Sequence, residues 1–313
     1  MPLPVVVCAA DLNHLPETRA ILEKHFQVRY VSPTSESLAE SLPGADAYFA
    51  AMQVRLTGDL MAKATRLKAV ATPSTGLDHL DLAAARERCV AVLGLKDDRD
   101  LLDKITATAE LAWTLLLACV RRLPEAVEAS RRGHWARDLY RGRQIAYKTL
   151  GILGCGRLGT IVAQYAQAFR LNVLGCDVRD VKLPGVTMVS FDDLLRRADI
   201  LTIHIHLTEE NKKFINRRAF ERMKPGAVLI NTSRGAIVDE EALIEALETG
   251  KLAAAGLDVI DGEWRTDLDR HPLIVYARTH PNLIITPHVG GVTFESQEMA
   301  YAAAARKLVA FFS

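Results

Sequence analysis

The amino-acid sequence predicts an α/β chain: two parallel-sheet domains with a cleft between them. Three observations carry this. Short apolar runs of strand length alternate with helical stretches from the first residues onward. A glycine-rich turn, Gly154-Cys155-Gly156-Arg157-Leu158-Gly159, separates a strand-like run from a helical stripe near mid-chain. A second series of apolar runs then continues to about residue 286.

The elements follow in order. Pro4–Cys8, Val28–Val31, Ala47–Phe49, Lys68–Ala71 and Val90–Leu93 read as strands, with helices expected at Arg19–His25, Leu56–Ala64 and Leu82–Arg88. From Leu101 to Leu123, Ile105, Ala109, Ala112, Leu116 and Val120 keep helical spacing and predict one long helix. An arginine-rich stretch follows to Arg143, with Trp135 and Tyr140 interleaved. It reads as an extended arm reaching a partner subunit, because Glu125, Glu128 and Asp138 interrupt any nucleic-acid-like basic run. Later strands are expected at Leu150–Leu153, Leu171–Cys176, Ile200–Ile205, Ala227–Asn231, Ala253–Val259 and Leu283–Thr286. The last helix, Phe294–Phe312, is expected to return to the first domain. The domains are thus residues 1–100 with 287–313, and residues 101–286, with 121–146 as the arm.

Composition narrows the function classes. A chain of 313 residues with 49% apolar content can bury two cores. A net charge of +1 argues against nucleic-acid binding. Cys8, Cys89, Cys119, Cys155 and Cys176 form no CxxC pair and no metal spacing, which suits small buried thiols in a reducing compartment. Pro2–Ala10 reads as a first strand and not as a signal peptide, and Leu111–Val120 is too short to span a bilayer. A cytoplasmic protein without membrane or nucleic-acid partners is expected.

The glycine turn has the context of a dinucleotide-binding βαβ unit of Rossmann type. Leu150–Leu153 supply the strand, and Ile161, Val162, Tyr165, Ala166 and Phe169 the helical stripe. Gly154 suits the tight turn, Gly156 close approach to a pyrophosphate, and Gly159 close packing of helix on sheet. The helix N-terminus offers N–H groups and a positive dipole end. Asp177, ending the next strand, suits the two ribose hydroxyls and disfavours a 2′-phosphate, so NAD is expected over NADP. A second reading makes Asp177 a cap of the following turn, and Arg179 nearby softens the discrimination.

Arg234, Glu263 and His288 each follow a predicted strand, where a doubly wound sheet places chemistry. Reduction of a ketone by hydride leaves an alkoxide that needs a proton, which an imidazolium supplies near neutral pH. A carboxylate beside the ring holds it and favours its charged form. An arginine forks onto a substrate carboxylate. Singly, His288 reads equally as a helix cap, Arg234 as a turn arginine and Glu263 as a solvated acid. Together, after the glycine turn, they describe interconversion of a 2-oxo acid and a 2-hydroxy acid.

Several segments then carry a resemblance. They are 74–81 (STGLDHLD), Thr108-Ala109-Glu110, the glycine turn, 231–235 (NTSRG), 256–259 (GLDV) and 286–291 (TPHVGG). Over nearly its whole length the chain resembles the D-isomer-specific 2-hydroxyacid dehydrogenases. The resemblance implies a flavodoxin-like first domain that takes substrate, an NAD-binding second domain, and a homodimer built through residues 101–146. It implies that Arg234 binds substrate and that His288 is the acid/base with Glu263 as partner. Backbone N–H groups of Ser74, Thr75 and Gly76 would hold the substrate carboxylate. Arg157 and Leu158 would meet the pyrophosphate, and Asp258 the nicotinamide carboxamide. Thr232, Ser233, Val289, Gly290 and Gly291 would line the cofactor.

Departures shape the expected substrate. His206 stands where a proline is usual; His204 and His206 lack an evident third metal ligand, and no metal is expected. His79 and the segment Arg121–Ala126 are similar to glyoxylate/hydroxypyruvate reductases. Phosphoglycerate dehydrogenases tend to carry arginines near the positions of Ala51 and Thr72, and no C-terminal regulatory domain is expected after Ser313. An unpaired phosphate dianion is costly to bind. The expectation is an NAD-dependent D-2-hydroxyacid dehydrogenase of glyoxylate/hydroxypyruvate type. The alternatives are a phosphoglycerate dehydrogenase-like enzyme or an NAD-sensing, non-catalytic binding protein of the same fold. Formate dehydrogenases place glutamine where Glu263 stands. The charged segment 94–105 receives no role.

Overall fold

The structure, a computed structural model, describes residues 2–313. They form two compact units, one running to Ile105 and resuming at Val292–Ser313, the other spanning Thr106–Gly291. The first division falls beyond residue 100 because Leu102 and Ile105 pack with Ala300 of the C-terminal segment, and the second beyond residue 286 because the loop after the last strand stays bound to the second unit through Asp258, as shown below.

The first unit alternates β1 (Val5–Cys8), α1 (Pro16–His25), β2 (Gln27–Tyr30), α2 (Ser35–Ser41), β3 (Ala47–Phe49), α3 (Gly58–Lys63), β4 (Ala69–Ala71), α4 (Leu82–Glu87), β5 (Ala91–Leu93) and α5 (Arg99–Leu102). Its five strands are parallel in the order β2-β1-β3-β4-β5. Thr34, Thr57 and Asp81 accept from backbone N–H groups at the starts of α2, α3 and α4, satisfying donors that a helix leaves unpaired.

The second unit opens with α6 (Ala107–Arg121) and α7 (Leu123–Arg131). It continues through β6 (Thr149–Leu153), α8 (Arg157–Ala168), β7 (Asn172–Cys176), β8 (Val186–Met188), α9 (Phe191–Arg197), β9 (Ile200–Ile203) and α10 (Arg217–Arg222). It closes with β10 (Ala227–Asn231), α11 (Glu240–Glu248), β11 (Leu252–Leu257), α12 (Pro272–Ala277) and β12 (Leu283–Ile285). Its seven strands are parallel, in the order β12-β11-β10-β9-β6-β7-β8. The order reverses between β6 and β9, the place where an open α/β sheet receives a ligand. Helices cover both faces, which is why β9 and β10 are buried along their whole length. On one face Trp113 of α6 meets the rings of Tyr165 and Phe169 at 6.0 and 5.0 Å. On the other, Leu194, Leu229, Leu243 and Leu273 share a core.

Two expectations are corrected here. The helix foreseen over Leu101–Leu123 is α5 and α6, separated by a turn at 103–106. Ile105, the first residue of the stripe, lies in that turn and is buried, so periodicity does not reveal the break. The arm is not simply extended: its first part is α7, starting after Arg122 in the left-handed conformation (φ 50°), with Pro124 in its first turn. A 3-10 turn at Arg137–Tyr140 follows.

The chain ends in α13 (Phe294–Phe312), capped by the Thr293 hydroxyl. Ala304, Ala305 and Leu308 of α13 pack fully buried against Val6, Cys8, Phe49, Ala69 and Ala71. The segment 94–105 also rests on α13. Leu95, Leu102 and Ile105 bury with Ala300, and Lys307 Nζ donates to Gly94 O at 2.7 Å and pairs with Asp98 at 2.5 Å. Leu308→Ala should destabilise the first unit by about 2–5 kcal/mol, read as a lowered denaturation midpoint in urea.

Candidate active site

Three adjacent parallel strands, β10, β11 and β12, end side by side and are stitched together beyond their last residues. Asp258 N donates to Asn231 O at 2.9 Å, and His288 N to Asp258 O at 2.9 Å. The side chains of Asn231 and Asp258, each 1% exposed, then shape the loops that follow. Asn231 Nδ2 donates to Arg234 O at 2.9 Å, and its Oδ1 accepts from Ser233 N at 3.0 Å. Asp258 Oδ1 accepts from Thr286 Oγ1 at 2.6 Å and Val289 N at 2.9 Å; Oδ2 accepts from Gly290 N at 2.7 Å. Burial pushes the Asp258 carboxyl up, and these bonds oppose that shift. The family resemblance implies a nicotinamide contact for Asp258. The structure gives its oxygens to the loop carrying His288, Val289 and Gly290.

Held this way, His288 adopts a left-handed backbone (φ 55°), uncommon for a residue with a side chain. Its Nδ1 lies 2.6 Å from Glu263 Oε1, both side chains 17% exposed. The indole of Trp264 stacks on the imidazole, ring centres 5.9 Å apart and planes within 21°. Arg234 is half-buried; its Nη1 donates to Ser233 O at 2.8 Å.

The turn that carries Glu263 is braced by residues that the sequence did not single out. Asp261 N donates to Glu240 Oε1 at 2.7 Å. The buried His271 accepts from Leu273 N on Nδ1, so its proton sits on Nε2, which donates to Asp261 O at 2.9 Å and lies 3.3 Å from Glu240. Burial raises the Glu240 carboxyl. The signal available was His271-Pro272 before an apolar run, the mark of a helix start.

The glycine turn lies at the reversal point of the sheet. Gly154 takes φ 95°, and a Cβ there would sit 2.5 Å from His204 O. A Cβ on Gly159 would fall 2.1 Å from Gly154 O. These two glycines are required by the chain's own backbone. Gly156, the N-cap of α8, is different: a Cβ there would meet nothing nearer than Arg179 Nη2 at 3.7 Å, so the space beside it is open. The N–H groups opening α8, with Arg157 and Leu158 in its first turn, border that space. Asp177 Oδ2 accepts from Cys155 N at 2.8 Å, which ties the turn to the end of β7. Arg179, with its backbone N–H and forked side chain, pulls the Asp177 carboxyl down to about 2. At the end of β10, the Thr232 hydroxyl is buried with no partner among the described residues, while Ser233 Oγ donates to Ile203 O at 2.8 Å. Open space at Gly156, the N-terminus of α8 beside it, an acid at the second strand end and an unmet hydroxyl fit a dinucleotide. Cys155 is buried, its thiol pushed up to about 11 mainly by burial, which suits a packing role.

His204, after β9, places Nε2 2.9 Å from Thr202 Oγ1, and burial drives its imidazole down to about 4. His206 is exposed, and its carbonyl accepts from Asn211 Nδ2 at 2.6 Å. In the first unit, Ser74 is buried. Among the described residues none accepts from the N–H of Ser74, Thr75 or Gly76, three successive donors suited to a carboxylate. Gly291, past the His288 loop, has open space at its Cβ position.

Comparison with known proteins places this geometry. The model of the "D-isomer specific 2-hydroxyacid dehydrogenase, NAD binding domain" matches residues 113–290. A glyoxylate reductase of Aeropyrum pernix is 36% identical over 311 residues, covering 95% of this chain and 90% of that protein. A D-3-phosphoglycerate dehydrogenase of Mycobacterium tuberculosis is 38% identical over 307 residues, covering 96% of this chain and 55% of that protein. The chain thus spans about half the length of that curated relative. The crystal structure of D-lactate dehydrogenase from Aquifex aeolicus, complexed with NAD and lactic acid, superposes with a TM-score of 0.87 at 28% identity, covering 98% of this chain and 95% of that one. An α/β fold with a glycine turn at the reversal point of its sheet defines the dinucleotide-binding class of doubly wound proteins. The chain belongs to the D-isomer specific 2-hydroxyacid dehydrogenase family.

Two outcomes follow from this geometry. Gly159→Ala, which drives a Cβ into backbone, should lower the thermal midpoint by about 5 °C or more, whereas Gly156→Ala should barely move it; scanning calorimetry of both checks this. His204 binds its proton less readily folded than unfolded, so stability falls as pH drops from about 6.5 toward 4. His204→Asn should flatten the thermal midpoint against pH across that window.

Proposed function

We propose that this protein is an NAD-dependent oxidoreductase that interconverts a small 2-oxo acid and its D-2-hydroxy acid, of the glyoxylate/hydroxypyruvate type. The observation that carries the reading is the 2.6 Å pair of His288 Nδ1 and Glu263 Oε1 at the carboxyl edge of a dinucleotide-binding sheet. With Nδ1 engaged by the carboxylate, Nε2 remains to face a substrate oxygen. His288 gives its proton to the carbonyl oxygen in reduction and recovers it in oxidation. Glu263 orients the ring and balances its charge, and Trp264 restricts its rotation. Arg234 pairs with the substrate carboxylate through its fork. The bound nicotinamide supplies or accepts the hydride.

Size selection supports a small substrate. Ala51 and Thr72, where a phosphate-binding arginine would be needed, are neutral and 4% and 0% exposed. The 38% identity to a phosphoglycerate dehydrogenase favours the second reading, a phosphorylated 2-oxo acid. Turnover decides between them. The purified protein should oxidise NADH with glyoxylate or hydroxypyruvate and turn over phosphohydroxypyruvate poorly. Dominant turnover of the phosphorylated substrate favours the second reading, and cofactor binding without turnover of any 2-oxo acid favours an NAD sensor.

His288→Ala should cut kcat by about 10²–10⁴-fold while the dissociation constant for NADH stays within twofold. Undiminished turnover in this variant would remove His288 from the chemistry.

We further propose a homodimer built through residues 121–146 and acting in the cytoplasm, where five free cysteines persist. Trp135 and Leu139 on this arm are 85% and 67% exposed, the kind of anchors that interfaces bury. Trp135→Asp with Leu139→Asp should shift the sedimentation coefficient from dimer to monomer.

A further inference from the structure

The pair formed by Asp177 and Arg179 carries a consequence for which dinucleotide this chain accepts. The Asp177 side chain is 6% exposed, and Arg179 is 57% exposed. A carboxylate offers about four acceptor positions. Here all are taken: Oδ1 by Arg179 N at 2.9 Å and Nε at 3.0 Å, Oδ2 by Cys155 N at 2.8 Å and Arg179 Nη2 at 3.0 Å. Ribose hydroxyls need those same positions. Arg179 therefore competes directly with the ribose of a plain dinucleotide, and its guanidinium also borders the open space at Gly156.

The pair also changes the electrostatics. Alone, Asp177 would repel a 2′-phosphate. Forked by Arg179 it is neutralised, and the guanidinium, on the solvent side of the pair, has room to turn from the carboxylate to a phosphate, for which its planar donors are equally suited. Asp180 is the exposed acid next in the chain and opposes this only from solvent.

We propose that Arg179 is the cofactor selector of this chain, and that through it the site accepts 2′-phosphorylated nicotinamide dinucleotide alongside the unphosphorylated form. The inference rests on the dinucleotide reading of the glycine turn and extends it. Asp177 sets the preference that a carboxylate at the second strand end leads one to expect, and Arg179 weakens it from both sides. It takes acceptors from the ribose and offers charge to the phosphate.

The test is calorimetric binding of ADP-ribose and 2′-phospho-ADP-ribose to the intact protein, its Arg179→Ala variant and its Arg179→Lys variant. NADH- and NADPH-dependent turnover is measured in parallel. The wild-type protein should bind both fragments. Arg179→Ala should tighten ADP-ribose and weaken the 2′-phosphorylated fragment, shifting their ratio by about tenfold or more. Arg179→Lys, which keeps charge without the fork, should fall between. Equal change in both fragments, or wild-type binding of ADP-ribose with none of its 2′-phosphate, would overturn the proposal while leaving the dinucleotide site intact. Binding of neither fragment would overturn both.

Discussion

The buried carboxylate of Asp258 is the constraint on which the chemistry-bearing edge depends. A carboxylate at 1% exposure is costly unless its oxygens are met, and the donors available are the backbone and hydroxyl of the loop after β12. Satisfying the acid therefore forces the loop into one path. That path carries His288 into the left-handed region, where its ring meets Glu263 and Trp264. Asn231 performs the same service one strand away for the loop of Arg234. Two buried polar side chains, neither a proton donor in the proposed reaction, thus fix two residues that are proposed to touch substrate. Each position on this edge is over-determined by bonds that would be unmet in any other arrangement.

The glycine turn follows a different logic. Its geometry is set by exclusion: Gly154 and Gly159 approach each other and His204 more closely than any side chain allows. Gly156 faces open space, and the chain's own packing gives no reason for a glycine there. The distinction matters because a purely structural turn would use all three for packing. The acid that joins this turn to the second strand is shared between the backbone of Cys155 and the guanidinium of Arg179. Turn architecture and ligand preference therefore meet in one carboxylate.

Much of this was legible in the sequence because the signals are local. The βαβ unit announces itself within eleven residues, and strand runs separated by helices leave few alternatives to a parallel sheet. What was illegible depends on tertiary choice. The stripe from Ile105 to Val120 is continuous in the sequence, yet the chain breaks at 103–106, where segment 94–105 packs on α13. Nothing in the side chain of Arg122 marks a left-handed residue; Pro124 was the only hint that a new helix begins. Asp177 and Arg179 are neighbours in any reading, but only coordinates show that the arginine takes both oxygens. Glu240 and His271 brace the Glu263 turn from positions 23 residues before and 8 after it, a convergence no spacing rule encodes.

The return of α13 to the first sheet has a consequence for how the molecule comes into being. Synthesis proceeds from the N-terminus, so the first unit's strands leave the ribosome early. One face of their sheet, with Val6, Cys8, Phe49, Ala69 and Ala71, is completed only when Ala304, Ala305 and Leu308 arrive. The second unit is contiguous, from Thr106 to Gly291, and can close on itself in the meantime. The later-made unit therefore matures first. The earlier one keeps part of an apolar face uncovered until the helix Phe294–Phe312 has been made.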